Sequence, residues 1–457
     1  MVNDQRLKIF FTAVDAVGHV NACVGLAQPL KKRGHEIIFL TNEIFAGTYE
    51  KYGFKEIVLK SAKVKEIMEK KGNEKSDEHP SKAMSSVWNK YRENGTLSGK
   101  PSIEKINIFK PDSGNEIINM MIEGAKDQHP QLIKIIEKEK PDLFIMDQVV
   151  LPPCILYGKI PWAYLCSPCP RMLYETSDLP PLISGYPSDD RTGWEEFEAK
   201  MEEAITQGFL YGQNQINKEF GYPEVTREEF KFKSPYINIY GYPEELDYSD
   251  TVPLPDNHIR VDAFCREAAE NFELPEEFKA KIKPGDKLIY LSMGSIGCFD
   301  IDLMKKLVNE LSKSPHKFIV SMGPANDQYK LADNMWGKAF LPQTKVIPLV
   351  DMVITHGGNN TVTETFSFGK PMIVMPLFAD QYDNAQRILE KGYGSRMNPY
   401  HFKDGELNKM IDDIFSNEQI LQRCRKAGER IARANSKEKA CEKIESIMTK
   451  LKISMNK

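Results

Sequence analysis

The segment THGGNNTVTE (355–364) has the residue order that builds an anion site. It follows the apolar strand DMVITH, and its two glycines permit a tight turn with close backbone approach. Asn360 or Thr361 can cap the helix that follows, whose free N–H groups attract phosphate. His356 adds a donor, and Glu364, about one turn past Thr361 on the same face, suits a ribose diol. A glycine turn beside a satisfied histidine is the structural alternative.

His19 is the candidate general base. It follows the first apolar strand, where a neutral imidazole can take a proton from an attacking hydroxyl. Asp147 ends the strand PDLFIMD in the same half of the chain, and its carboxylate could orient His19 and stabilise the imidazolium. The structural alternatives are a packing histidine and an aspartate that caps the next helix.

Two α/β series must position these residues. RLKIFFTAV, a helix from Val20 through Arg33 and HEIIFLT form a strand-helix-strand unit, which implies parallel strands. A second series starts at KLIYLSMGS (287–295) and runs through HKFIVSMG, DMVITH and PMIVMPL. A proline-rich boundary lies within 240–285. The pattern predicts an α/β protein with two parallel sheets that face each other across a cleft, where ligands bind.

The composition excludes several classes of protein. The 457 residues are 41% hydrophobic and 28% charged, which excludes a disordered chain and a small disulfide scaffold. The net charge of -4 gives no long-range attraction to nucleic acid. Among the eight cysteines only Cys166 and Cys169 are close, and no second pair completes a zinc site. Without a leader or membrane span, we expect a soluble, cytoplasmic protein.

Three segments carry a resemblance to a known family. FLPQ (340–343), THGGNNTVTE (355–364) and GKPMIVMPLFADQYDNA (369–385) together resemble the signature of the UDP-glycosyltransferases, inverting enzymes of the GT-B fold that use nucleotide-activated sugars. GHVNACVGLAQPLKKRGHEIIFLT (18–41) resembles the amino-terminal segment of their bacterial macrolide-type branch. SMGS (292–295) matches that family's phosphate-contacting loop.

The resemblance implies a GT-B architecture of two Rossmann-like domains. It spans most of the chain and is weak at about 60–135 and 170–280. Residues 1–245 would bind the acceptor and residues 260–430 the UDP-sugar. The helix in 431–457 would return to the first domain.

The resemblance also implies roles for individual residues. Phe340, where most members have Trp, would stack on uracil, and Leu341 would meet the uracil edge through its backbone. The other implied donor-binding residues are Gln343 and Glu364 for the ribose, Ser295, His356, Asn360 and Thr361 for the diphosphate, Asp380 and Gln381 for the sugar hydroxyls, and Gly358 in the glycine turn.

The function predicted on this basis is transfer of a hexose, by default glucose, from a UDP-sugar to a hydroxyl of a small apolar acceptor such as a flavonoid or phenol. Trp88, Tyr174, Tyr186 and Trp194 are compatible with a flat acceptor of this kind. Direct displacement with His19 as base would invert the anomeric configuration. No acidic pair is identified as a metal-binding site, so no metal and no cofactor beyond the UDP-sugar is expected.

Other functions remain as alternatives. They are a nucleotide-sugar epimerase or hydrolase on the same scaffold, and a non-catalytic UDP-sugar-binding protein. An NAD(P)-dependent oxidoreductase is disfavoured because no G-x-G-x-x-G follows the first strand. We expect a monomer without a nucleic-acid partner or a membrane anchor, and by resemblance a role in detoxification of foreign compounds.

Overall fold

The computed structural model describes residues 6–62, 65, 90–110, 116–268 and 270–455. Trp88 lies outside the described residues. Two parallel β-sheets organise the described chain, and each is built from one of the two α/β series that the sequence predicts.

The first sheet has seven strands in the order β3-β2-β1-β4-β5-β6-β7, and all of its neighbours pair in parallel. Its strands are β1 (Lys8–Ala13), β2 (Glu36–Thr41), β3 (Lys55–Val58), β4 (Leu143–Asp147), β5 (Trp162–Cys166), β6 (Ile237–Gly241) and β7 (His258–Val261). The central strands are continuous runs of buried apolar residues, as expected for a sheet covered on both faces.

The second sheet has six parallel strands in the order β10-β9-β8-β11-β12-β13. Its strands are β8 (Leu288–Ser292), β9 (Lys317–Ser321), β10 (Met335–Lys338), β11 (Met352–Thr355), β12 (Met372–Val374) and β13 (Gly394–Arg396). The predicted α/β class with two parallel sheets is therefore confirmed.

Helices cover the sheets and connect the strands. The helices of nine or more residues are Val17–Lys32, Glu116–Glu139, Trp194–Ala204, Tyr211–Glu219, Ile301–Leu311, Asn359–Ser367, Gln381–Lys391, Glu406–Ser416, Glu418–Ala434 and Ser436–Met455. The shorter helical segments are Glu50–Tyr52, Ser102–Lys105, Ile106–Phe109, Pro153–Leu156, Pro170–Leu173, the π-helical turn Ile205–Leu210, Glu276–Lys279, Gly294–Gly297, Asn326–Gln328, Gln343–Val346 and Ile347–Leu349. No helix within the described ranges is long and apolar enough to cross a membrane.

The strand order of each sheet reverses at one place, and the predicted site residues lie there. In the first sheet the reversal falls between β1 and β4, where Ala13 pairs with Asp147. In the second sheet it falls between β8 and β11, where Ser292 pairs with Thr355. Connections leave such a point in opposite directions, so a crevice opens beyond the carboxyl ends of the strands. His19 and His356 follow these strand ends.

The carboxy-terminal helix Ser436–Met455 packs on the first sheet, against β7 and the Val17–Lys32 helix. Its Cys441, Ile444 and Met448 are buried in the apolar cluster that contains Ile9 and Phe11 of β1. Glu445 accepts a hydrogen bond from Arg33 Nε at 2.7 Å. The residue limits of the domains (1–245, 260–430 and 431–457) stay a prediction.

Candidate active site

His19 and Asp147 are in direct contact. His19 lies in the first turn of the Val17–Lys32 helix, and its Nδ1 is 2.7 Å from Asp147 Oδ2. Ser167 Oγ, from the loop after β5, lies 2.9 Å from the same nitrogen. The Asp147 side chain is only 3% exposed, whereas that of His19 is 27% exposed. The carboxylate therefore holds Nδ1 in its protonated form, and Nε2 is left as a proton acceptor.

The surroundings of His19 set its pKa. Burial lowers the pKa of His19, but the charge and the hydrogen bond of Asp147, together with the charges of Asp380 and Asp15, outweigh this effect. The pKa of His19 is therefore raised above its ordinary value. A raised pKa makes the imidazole a stronger base, which suits it to take a proton from a hydroxyl.

The first cavity of the crevice, the donor cavity, has a volume of about 310 Å³. Its wall is made by both halves of the chain. Twelve of the thirteen residues predicted from the sequence line it, namely His19, Ser295, Phe340, Leu341, Gln343, His356, Gly358, Asn360, Thr361, Glu364, Asp380 and Gln381. Asp147 lies behind His19 and is not part of the wall. The structure thus brings the predicted residues together, while their individual roles stay predictions.

His356 is held between two glycines. A Cβ added at Gly294 or Gly358 would overlap the His356 ring, and Gly294 also has a φ of +72°. Burial lowers the pKa of His356 to about 4, so its ring is neutral at physiological pH. A neutral ring can donate one hydrogen bond to an anion without carrying a charge of its own.

The helix Asn359–Ser367 begins differently from the sequence prediction. Asn360 and Thr361 do not cap it, because the capping position is Gly358, which has no side chain to accept a hydrogen bond. Thr361 instead lies within hydrogen-bond reach of Gln343, 3.2 Å from its Nε2. The free backbone N–H groups of this first turn therefore face the donor cavity without a protein side chain as their cap.

Side chains at this helix start bind the first half of the chain. Asn359 Nδ2 donates to the carbonyl oxygens of Ser167 at 2.9 Å, Pro168 at 3.2 Å and Gly241 at 2.9 Å. Asn360 Nδ2 donates to Gly18 O at 2.6 Å, next to His19. These contacts fix the start of the Asn359–Ser367 helix against the first half of the chain, including the first turn of the helix that carries the candidate base.

Two acidic residues, Asp380 and Glu364, are part of the wall of the donor cavity. Asp380 Oδ2 accepts a hydrogen bond from Cys169 N at 2.9 Å, and burial raises the pKa of Asp380 to about 6. Glu364 Oε2 accepts from Gln343 Nε2 at 2.6 Å. Gln381 Oε1 accepts from the backbone N–H groups of Leu377 and Phe378, so this oxygen is occupied within the protein.

A second cavity, the acceptor cavity, has a volume of about 300 Å³ and meets the donor cavity at His19 and Asp380. Its wall is mainly apolar. The large apolar residues that line it are Tyr91, Ile108, Phe109, Ile118, Met120, Met121, Val149, Val150, Met172, Leu182, Ile183, Met201, Phe209, Phe232, Ile296 and Phe378. Asp15, Gln128 and Gln148 supply polar groups. A cavity of this size and lining fits a small apolar molecule.

Three of the four aromatic residues considered compatible with a flat acceptor lie outside this cavity. Tyr174, Tyr186 and Trp194 do not line it. Tyr174 and Trp194 are buried elsewhere, where Tyr174 donates to Asp247 at 2.7 Å. Composition alone does not distinguish a core aromatic residue from a cavity wall.

Several residues that touch the site were not identified from the sequence, among them four with polar side chains. Arg266 and Tyr290 line the donor cavity, Ser167 touches His19, and Asn359 joins the two halves. Tyr290 lies in the quoted segment KLIYLSMGS and Asn359 in THGGNNTVTE, whereas Arg266 and Ser167 lie in no quoted motif. No group of three or more His, Cys, Asp or Glu side chains within the described part of the chain is placed to hold a metal ion.

Comparison with known proteins shows which proteins this chain resembles in sequence. The family model for UDP-glucoronosyl and UDP-glucosyl transferases matches residues 245–424. The chain is 22% identical to the NDP-glycosyltransferase YjiC of Bacillus subtilis (strain 168), with 98% of each chain covered. It is 20% identical to the demethyllactenocin mycarosyltransferase of Streptomyces fradiae, over 96% of this chain and 86% of that protein.

Solved structures agree with the fold. The glycotransferase of kitacinnamycin superimposes with a TM-score of 0.68 at 18% identity, over 97% of this chain and 100% of that chain. The spinosyn rhamnosyltransferase SpnG complexed with thymidine diphosphate gives 0.59 at 14% identity, over 93% and 96%. The predicted GT-B architecture and the resemblance found from the sequence are confirmed.

Proposed function

We propose that this chain, a glycosyltransferase of the UDP-glycosyltransferase type with the GT-B fold, moves a hexose from a UDP-sugar to a hydroxyl of a small apolar acceptor. The observation that carries the proposal is the position of His19. It lines both cavities, and Asp147 orients its ring from behind. A hydroxyl in one cavity and an anomeric carbon in the other would meet beside Nε2.

The proposed reaction is a single displacement. The acceptor O–H gives its proton to His19 Nε2 as the acceptor oxygen forms a bond to the anomeric carbon. The bond from that carbon to the β-phosphate oxygen breaks, and its electron pair leaves with UDP. Attack from the face opposite the leaving group inverts the anomeric configuration. Asp147 stabilises the imidazolium that results, as carboxylates do in other His–Asp pairs.

The donor cavity supports a nucleoside diphosphate as the leaving group. The first turn of the Asn359–Ser367 helix, the neutral His356 ring and the hydroxyls of Ser295 and Thr361 offer hydrogen-bond donors from several sides. Donors fixed in place before the reaction stabilise the negative charge that UDP gains. We propose glucose as the sugar and uracil as the base that Phe340 stacks on.

The acceptor cavity favours a molecule with an apolar body and more than one polar group. Met120, Met121 and Met201 give its wall adaptable side chains. Gln128 Oε1 and Gln148 Oε1 are buried among the described residues without a hydrogen-bond partner. Each oxygen would accept a hydrogen bond from an N–H or O–H of the bound acceptor molecule, since leaving a buried oxygen without a hydrogen bond costs about 1–3 kcal/mol. A hydroxylated phenol meets both requirements.

The test is acceptor-dependent release of UDP. UDP-glucose is incubated with the protein alone and with panels of phenols, sterols and macrolides, and UDP and glycosylated products are measured. The proposal expects release that rises with a hydroxylated aromatic acceptor and a product heavier by one hexose. Release that never depends on an acceptor would favour a nucleotide-sugar hydrolase. UDP-glucose binding without any turnover would favour a binding protein.

Gly124 offers a direct test of the acceptor cavity. It lies in the Glu116–Glu139 helix, lines the cavity, and a Cβ added there meets nothing within 4 Å. We expect Gly124→Leu to raise the acceptor KM about tenfold or more, because the new side chain occupies the space of the ligand. UDP affinity should stay unchanged.

The matched control is Glu123→Leu, at an exposed position of the same helix. Steady-state kinetics with one phenolic acceptor compares the two variants. An acceptor KM that changes equally in both, or in neither, would contradict the assignment of this cavity.

A further inference from the structure

Arg266 lines the donor cavity, although it follows the last strand of the first sheet. It lies in the segment that follows β7, and its side chain is only 13% exposed. Its Nη1 is 3.5 Å from Glu364 Oε1, and its Nε donates to the Tyr52 hydroxyl at 3.2 Å. The guanidinium thus connects the first sheet's periphery to the helix that carries Glu364.

Burial and the neighbouring polar groups act in opposite directions on the pKa of Glu364. Its side chain is 3% exposed, and burial raises its pKa, an effect that Arg266 and then Gln343 oppose. Gln343 occupies Oε2 from one side, and Arg266 faces Oε1 from the other. The other titratable groups facing it are Cys265 and Tyr290, whose pKa values burial raises to about 12, so both are neutral. Arg266 is therefore the one counter-charge that faces Glu364 among the described residues.

The segment that carries Arg266 is fixed in place. Gly25 of the Val17–Lys32 helix lies so close to Phe264 that a Cβ there would overlap the Phe264 carbonyl. Lys437 Nζ, from the carboxy-terminal helix, donates to Cys265 O at 2.7 Å. These contacts hold the backbone immediately before Arg266, so the guanidinium extends into the cavity from a fixed segment.

We propose that Arg266 is a positioning residue for donor binding, which pairs with the Glu364 carboxylate and holds it turned toward the ribose hydroxyls of the nucleotide. The inference rests on the proposed function, because it assumes that a UDP-sugar occupies the donor cavity. A carboxylate accepts hydrogen bonds from a diol, whereas a protonated carboxyl has lost part of that capacity. Arg266 acts through Glu364, and neither the sequence motifs nor the proposed function needs it.

The sign of the pH effect follows from the ion pair. UDP affinity that requires ionised Glu364 is lost as the pH falls through the pKa of that carboxyl in the folded protein. Removal of Arg266 takes away the charge that holds this pKa down, so the pKa rises further. In Arg266→Met the loss of affinity should therefore begin at a higher pH than in the wild type.

The experiment is calorimetric titration of UDP into the full-length protein across a pH series. We expect Arg266→Met to weaken UDP binding about tenfold to a hundredfold at neutral pH and to move the pH dependence upward. Arg266→Lys keeps the charge and should restore most of the wild-type pH profile. If Arg266→Met fails to fold, Tyr52→Phe, which frees Nε, should give a smaller shift in the same direction.

Two controls separate a positioning role from a structural one. Lys437→Met disturbs the same segment without touching Glu364 and should leave the pH profile in place. In a Glu364→Gln background, Arg266→Met should add little, since residues that act as a unit are not additive. An equal loss of affinity at every pH, and an equal loss in the Glu364→Gln background, would overturn the inference. Wild-type protein that binds no UDP would instead overturn the proposed donor site itself.

Discussion

Replacement of His19 by alanine is expected to lower kcat for acceptor-dependent UDP release by about 10²–10⁴-fold, the range that general base catalysis supplies. The reason is geometric. His19 lines both cavities, and the Asp147 carboxylate contacts its Nδ1. Without it the acceptor hydroxyl must attack while it still holds its proton.

The donor cavity should still bind UDP after this substitution. UDP affinity of His19→Ala, measured by calorimetry, is expected to remain within a few-fold of the wild type. His401→Ala is the matched control, because His401 is exposed and lies on the second half of the chain away from both cavities. Equal activity of His19→Ala and His401→Ala would rule out His19 as the base.

Replacement of Asp147 by asparagine is expected to lower kcat by about 10²–10⁴-fold and to change the pH profile. An asparagine amide can donate to Nδ1, which places the ring proton on Nε2, the atom that must accept one. The pKa of His19 should also fall, because the Asp147 carboxylate is the charge that contributes most to raising it. A base works in its neutral form, so the acid limb of kcat should move to lower pH as the maximum falls.

Asp142→Asn is the matched control for the pH–rate profile of Asp147→Asn. Asp142 immediately precedes β4, accepts a hydrogen bond from Lys8 N at 2.8 Å and pairs with Lys452 at 2.8 Å, far from the cavities. The same chemical change there should leave the acid limb in place. If both variants lose activity without a shift of the acid limb, Asp147 has a structural role only.

The residues that could be predicted from the sequence are those whose position follows from one local motif. His356, Gly358 and Thr361 lie in one strand-turn-helix, so their approach to a common anion is fixed within a few residues. His19 and Asp147 could be paired because Asp147 ends one strand of a parallel sheet and His19 follows shortly after the end of another, and such ends gather at one edge. The prediction that Asn360 or Thr361 caps the helix was wrong because Gly358 takes that position.

Contacts between distant segments could not be predicted. Arg266 has no motif around it, and it meets Glu364 only because the end of β7 faces the Asn359–Ser367 helix in the folded chain. The wall of the acceptor cavity could not be predicted for the same reason, since Phe109, Met201 and Phe232 come from three separate segments. Tyr174 and Trp194 have the same chemistry but pack in the core. Side-chain type sets what a residue can bind, and tertiary packing sets whether it faces a ligand.

The most direct test of the proposed mechanism is the anomeric configuration of the product, determined by nuclear magnetic resonance from the coupling of the anomeric proton. The donor is UDP-glucose, whose sugar is α-linked, and the acceptor is a phenol that supports UDP release. Direct displacement with His19 as base predicts a β-linked glucoside as the sole product. An α-linked product would contradict the single inverting step and the role assigned to His19.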